Sequence, residues 1–97
     1  MKVGIITTSR ADYSIYLPLL RALQLDDSFE VNIFALGMHV SEKYGNTVER
    51  IKSDNFNVYA AKDTLTFGDT AHGVSLATGS TLKEMAELFH QNPQDIV

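Results

Sequence analysis

Apolar runs and helical stripes alternate along this chain, and that alternation leaves few folds open. The run KVGIIT at residues 2–7 is nearly continuous rather than alternating, as expected for a parallel strand covered on both faces. Tyr13, Tyr16, Leu17, Leu20 and Leu23 then recur at three- and four-residue steps, one stripe of a helix. After a DDS turn at 26–28, FEVNIFAL at 29–36 reads as a second strand. GMHVSEKYGN follows as a loop with two glycines. A short helix is expected at 47–54, where Asn46 and Glu49 have capping-box spacing and Val48 and Ile51 give an apolar side. NVYAA at 57–61 is a third strand, and KDTLTFGDTAHG at 62–73 a polar loop. Val74, Ala77, Thr81, Met85 and Leu88 predict a long helix over 74–90, with Gly79 a weak point inside it. Pro93 closes that helix, and Asp95, Ile96 and Val97 read as the start of a fourth strand. The order β-α-β-α-β-α-β implies an α/β fold, a parallel sheet with helices on both faces.

Two points stay open at this level. If Ser14 caps the first helix, Pro18 is its fourth residue and costs little. If the helix begins at Ala11 or Asp12, Pro18 lies inside and should kink it. A chain that stops three residues into a core strand reads as the N-terminal portion of something longer. The other reading is a short native tail.

Composition narrows the function classes. The 97 residues suit one small domain, and 44% hydrophobic residues can pack a core. The net charge is −4 with no basic block, so no nucleic-acid partner is expected. There is no cysteine, which removes disulfides, thiolate nucleophiles and Cys-based zinc sites. No apolar run approaches the roughly 18 residues of a membrane span. The start MKVGIITTS turns polar too soon for a signal peptide. A cytoplasmic protein without membrane partner is the expectation.

In open parallel sheets, ligands sit outside the carboxyl ends of the strands. Three loops should share that rim. The first carries Thr7, Thr8, Ser9, Arg10, Ala11 and Asp12 and lacks both G-x-G-x-x-G and a P-loop. A helix N-terminus, three hydroxyls and an arginine fork suit a diphosphate or sugar phosphate. The plainer reading is a solvated arginine, with Asp12 or Ser14 only capping the helix. The second loop offers Met38, His39 and Tyr44. His39 is either an acid, base or hydroxyl-binding group, or a half-buried histidine bonded to backbone. Gly37 and Gly45 would supply positive φ at turns. The third loop holds Asp63, Asp69, His72 and Gly73. Asp69 and His72 are two potential ligands without a third, so no metal is expected, and Asp69 or Thr70 would open the long helix. His90 suits the dipole at that helix's C-terminal end.

TSRADYS, LGMHVSEKYGNTVERI and DNFNV together resemble the hydrolysing UDP-N-acetylglucosamine 2-epimerases of sialic- and nonulosonic-acid synthesis. Non-hydrolysing relatives usually read TGTRPE where this chain has TTSRAD. The resemblance spans essentially the whole chain and is weakest over 60–72. It implies a Rossmann-like first domain of a two-domain GT-B enzyme, with residues 1–97 its N-terminal portion. It implies anti elimination of UDP from UDP-GlcNAc followed by hydration to N-acetylmannosamine, without metal or nicotinamide. The full-length protein is expected to be a homo-oligomer. Arg10, with Ser14 and the 9–13 backbone (Ser9, Ala11 and Asp12 included), would lie near the diphosphate. Met38 and His39 match a QH or MH position. Met38 replaces an amide that serves an allosteric UDP-GlcNAc site in some non-hydrolysing members, so that site is not expected here. The stretch at His72 and Gly73 would cover the sugar. The main carboxylates, including the aspartate of a GDR or GDT motif, would follow Val97; Asp95 is not that aspartate. On this reading residues 1–97 alone are inactive.

The alternatives are a hydrolysing 2-epimerase for UDP-2,4-diacetamido-trideoxyhexose, a stand-alone flavodoxin-like binding module, and a structural fragment. A phosphoreceiver is disfavoured because Ser9 and Arg10 stand where it needs an acidic pair.

Overall fold

The computed structural model describes residues 1–41, 45 and 47–97. Three parallel strands form the sheet: β1 (Lys2–Thr7), β2 (Glu30–Ala35) and β3 (Asn57–Ala60), in the order β1-β2-β3. Lys2 pairs with Glu30 through to Thr7 with Ala35, and Asn32 with Asn57 through to Ala35 with Ala60. The helices are α1 (Arg10–Gln24), α2 (Val48–Ser53) and α3 (Ala71–Gln91). The expected fourth strand is present as one parallel bridge, Ile96 to Val3, beside β1.

Because strand side chains alternate, β2 serves both faces. Ile33 and Ala35 meet Tyr13 and Leu20 of α1 and Val48 and Ile51 of α2 in one buried cluster. On the opposite face the Phe34 ring lies 4.3 Å from Phe89 of α3 and 5.3 Å from Tyr59. Buried Asn32 on this second face donates to Glu30 and Gln94 and accepts from Asn57 at 2.7 Å. Every polar atom it brings into the core is thereby satisfied.

Several boundaries move. Ser9, not Ser14, caps α1, so Pro18 lies deep inside a helix that runs on to Gln24. α2 is shorter than 47–54, and Thr47 precedes it. The proposed Asn46 cap and Tyr44 fall outside the described residues. The stretch at 37–40 is not open loop but a 3-10 turn, Gly37–Val40. Gly37 and Gly45 have φ of 57° and 90°, the positive values expected of them. α3 begins three residues early, capped by Thr70, so His72 and Gly73 are helical rather than loop. Val74, placed on the core stripe of α3 by its spacing, is exposed instead.

Candidate functional site

Two backbone bonds knit the first two strand ends together: Leu36 N–H donates to the Thr7 carbonyl at 3.0 Å and Met38 N–H to that of Thr8 at 2.8 Å. They seat the Gly37–Val40 turn against the Thr7–Ser9 turn, so Met38 stands beside the start of α1.

Asp12 organises the first turn. Ser9 Oγ accepts from Asp12 N–H while the Asp12 carboxylate accepts from Ser9 N–H at 3.1 Å, a capping box. The same carboxylate accepts from Thr8 N–H at 3.1 Å and from the hydroxyls of Thr7, Thr8 and Ser9. Partial burial pushes the Asp12 pKa up, but these hydrogen bonds outweigh it and the carboxyl ends below the ordinary aspartate value. The three hydroxyls expected to meet a diphosphate therefore point their protons at Asp12. The anion that compensates the helix N-terminus is built into the chain.

His39 lies beneath this turn at 1% exposure. Nε2 is 2.9 Å from Thr7 Oγ1, and Nδ1 is 2.8 Å from Thr47 Oγ1. Its ring meets Tyr13 edge-on, centroids 6.2 Å apart. Burial lowers its pKa, against the opposing pulls of the Asp12 charge and the Ser9 backbone, which favours the neutral ring. Neutral imidazole has one donor and one acceptor. Thr7 directs its single hydroxyl proton to Asp12, so it accepts from Nε2–H, and Nδ1 accepts from Thr47. Both ring nitrogens are engaged with hydroxyls, and the Ser9 backbone adds the kind of backbone contact expected of a half-buried histidine.

Arg10 is the exposed first residue of α1, and no ion pair or hydrogen bond holds it among the described residues. With Ser9, Ala11, Met38 and Thr47 it lines a cleft of about 350 Å³. A second cleft of about 340 Å³ shares Ser9 and Met38 and adds Thr8, Gly37, Leu65 and Thr81. Arg10 is the one charged side chain among the described residues lining either cleft. Among the described residues the rim thus offers an unopposed guanidinium against a partly apolar wall, which suits an anion, and none of the described side chains lining it is placed to move a proton.

The other expected site residues are not brought there. Ser14 is exposed, one turn along α1, and lines neither cleft. His72 is exposed on the first turn of α3 and lines neither cleft. Gly73 is buried, with its N–H donating to Thr70 Oγ1 at 3.0 Å. A Cβ on Gly73 would stand 2.3 Å from the Phe67 carbonyl oxygen, so close approach explains that glycine. Among the described residues no three His, Asp or Glu side chains are grouped as a metal ion would need. Sequence reading missed Thr47, Leu65 and Thr81. Thr47 had a weak signal, a hydroxyl residue immediately before a helix; Leu65 and Thr81 had none.

No family model matches the chain. It is 33% identical over 97 residues to the polysialic acid biosynthesis protein P7 of Escherichia coli. It is 29% identical over 96 residues to the UDP-N,N'-diacetylbacillosamine 2-epimerase (hydrolyzing) of Legionella pneumophila. It is 26% identical over 94 residues to the UDP-N-acetylglucosamine 2-epimerase of Neisseria meningitidis serogroup B. These matches cover 95–99% of this chain. The chain spans about a quarter of the length of each of these relatives.

Proposed function

We propose that this chain supplies the diphosphate-facing rim of a hydrolysing UDP-N-acetylglucosamine 2-epimerase, a reading supported by its similarity over nearly its whole length to two proteins named as UDP-sugar 2-epimerases. The reaction would convert UDP-GlcNAc to N-acetylmannosamine and UDP. A base removes the C2 proton, the C1–O bond to the diphosphate breaks, and water adds to the resulting glycal. The chemistry needs a base near C2 and charge stabilisation on the departing diphosphate. Arg10 answers the second need, and its exposed guanidinium beside the Met38 cleft, without a partner among the described residues, is the observation that carries the reading. The base belongs elsewhere, since Asp12 is saturated and His39 is buried. The enzyme would be a homo-oligomer of GT-B architecture, and residues 1–97 by themselves would be inactive.

The Legionella relative favours a second substrate, a UDP-2,4-diacetamido-trideoxyhexose. Incubating the full-length protein with each sugar nucleotide and measuring released UDP separates the two. Release from neither overturns both. Arg10→Ala should lower kcat/KM by roughly tenfold or more, since a charge-assisted contact contributes about 1.5–3 kcal/mol. Unchanged kinetics would remove Arg10 from the site.

A further inference from the structure

The geometry points to His39 as a positioning residue for Arg10, acting through Thr7 and Asp12; its effect on turnover rests on the proposed function, its geometry does not. One buried ring joins two separate elements, Thr7 at the end of β1 and Thr47 at the entrance to α2. The hydrogen bonds run in one direction. Thr47 donates to His39 Nδ1, His39 Nε2–H donates to Thr7, and Thr7 donates to Asp12. Each hydroxyl has one proton, and both the ionised Asp12 carboxylate and the Ser9 carbonyl, 3.4 Å from Thr7 Oγ1, accept at the end of the relay, which favours Nε2–H on the ring. Asp12 in turn holds Thr8 and Ser9 by N–H and hydroxyl bonds. That fixes the backbone leading directly into Arg10, whose own side chain nothing else among the described residues restrains. His39 lines neither cleft, so it acts on a ligand there through its bonds to Thr7 and the Ser9 backbone rather than by contact.

Two measurements on the full-length protein test this. In ¹⁵N-histidine-labelled protein, two-bond ¹H–¹⁵N correlations report which ring nitrogen carries the proton, and the Tyr13 ring edge identifies the His39 signals. The relay requires Nε2–H in the wild type. A wild-type Nδ1–H form would overturn the relay. The second measurement is a double-mutant cycle on UDP-sugar turnover. Thr7→Val should lower kcat/KM about three- to tenfold, the size of one neutral hydrogen bond, and Thr7→Ser should restore it. In an Arg10→Ala background the same Thr7→Val change should have almost no effect. Equal losses in both backgrounds would show that Thr7 does not act through Arg10. If the protein turns over neither sugar nucleotide, the proposed function fails, while the tautomer result still decides the relay.

Discussion

Asp12 accepts hydrogen bonds from three consecutive residues, Thr7, Thr8 and Ser9. An anion at a helix start accepting several N–H and O–H groups is stabilising only while it stays ionised. Its pKa is depressed, and so is that of neutral, buried His39. For both groups the unfolded chain takes up protons first, so stability falls as pH drops. The His39 contribution is complete above its ordinary pKa of 6.5 and is lost as pH falls through its lower folded value. The Asp12 contribution persists down to 3.8 and is lost below it. Urea midpoints should therefore decline in two steps on acidification, and His39→Gln should abolish the first. A single step that survives His39→Gln would contradict the buried neutral ring. From the sequence, TTSRAD could be an anion-facing turn or a plain helix cap, and the structure shows Asp12 and Ser9 forming the cap, with Arg10 exposed beside it. What the sequence hid was competition: the hydroxyls find Asp12 closer than any ligand. Which way a hydroxyl donates depends on its neighbours in space, and His39 and Thr47 are far from Thr7 in sequence.

Helix α1 runs through Pro18, an exposed position eight residues past its first. Pro18 has no N–H for the Ser14 carbonyl, and interior proline costs about 3 kcal/mol relative to alanine. Since both positions face solvent, Pro18→Ala should stabilise the protein by about 1–3 kcal/mol, read as a higher urea midpoint. No gain would mean that the helix already accommodates the ring. At the start of α3 the expectation reverses. Gly73→Ala would drive a methyl into the Phe67 and Gly68 carbonyls, at 2.3 and 2.9 Å from the new Cβ. Shifting backbone to relieve this should cost about 1–3 kcal/mol, as overpacking does, and a thermal melt would register it. The strands were legible because their apolar runs are long and bounded by turn residues. Helix ends were less so. Asp12, Ser14, Asp69 and Thr70 are all acceptable caps by residue type, and only the fold decides which N–H groups each can reach.

At the level of the whole molecule, β2 is the central strand and its alternation sets the two layers. Leu20 and Ile33 are fully buried between α1 and the sheet. Leu20→Ala should cost about 2–5 kcal/mol, enough to threaten folding of a small domain whose total stability is of order 5–15 kcal/mol. A midpoint unchanged by the substitution would mean that this core closes around the gap. The α/β class follows from the alternation of runs, whereas the order of strands in the sheet and the layer each helix joins had to come from the structure. No helix among the described residues is long and apolar enough to cross a membrane.

Helix α1 is fastened to the turn after α2 along its length. Tyr13 Oη donates to Asp54 Oδ2 at 2.5 Å, Arg21 donates to the Asp54 carbonyl at 2.9 Å, and Gln24 donates to the Asn55 carbonyl at 3.1 Å. The platform beneath Arg10 is therefore pinned at both ends, by Asp12 above and by these three ties below. An arriving anion would find the backbone already in place and would have to order one long side chain, an entropic loss of about 0.5–1.5 kcal/mol. At this end of α1, the swing of a single guanidinium over a fixed floor would then be what binding has to order.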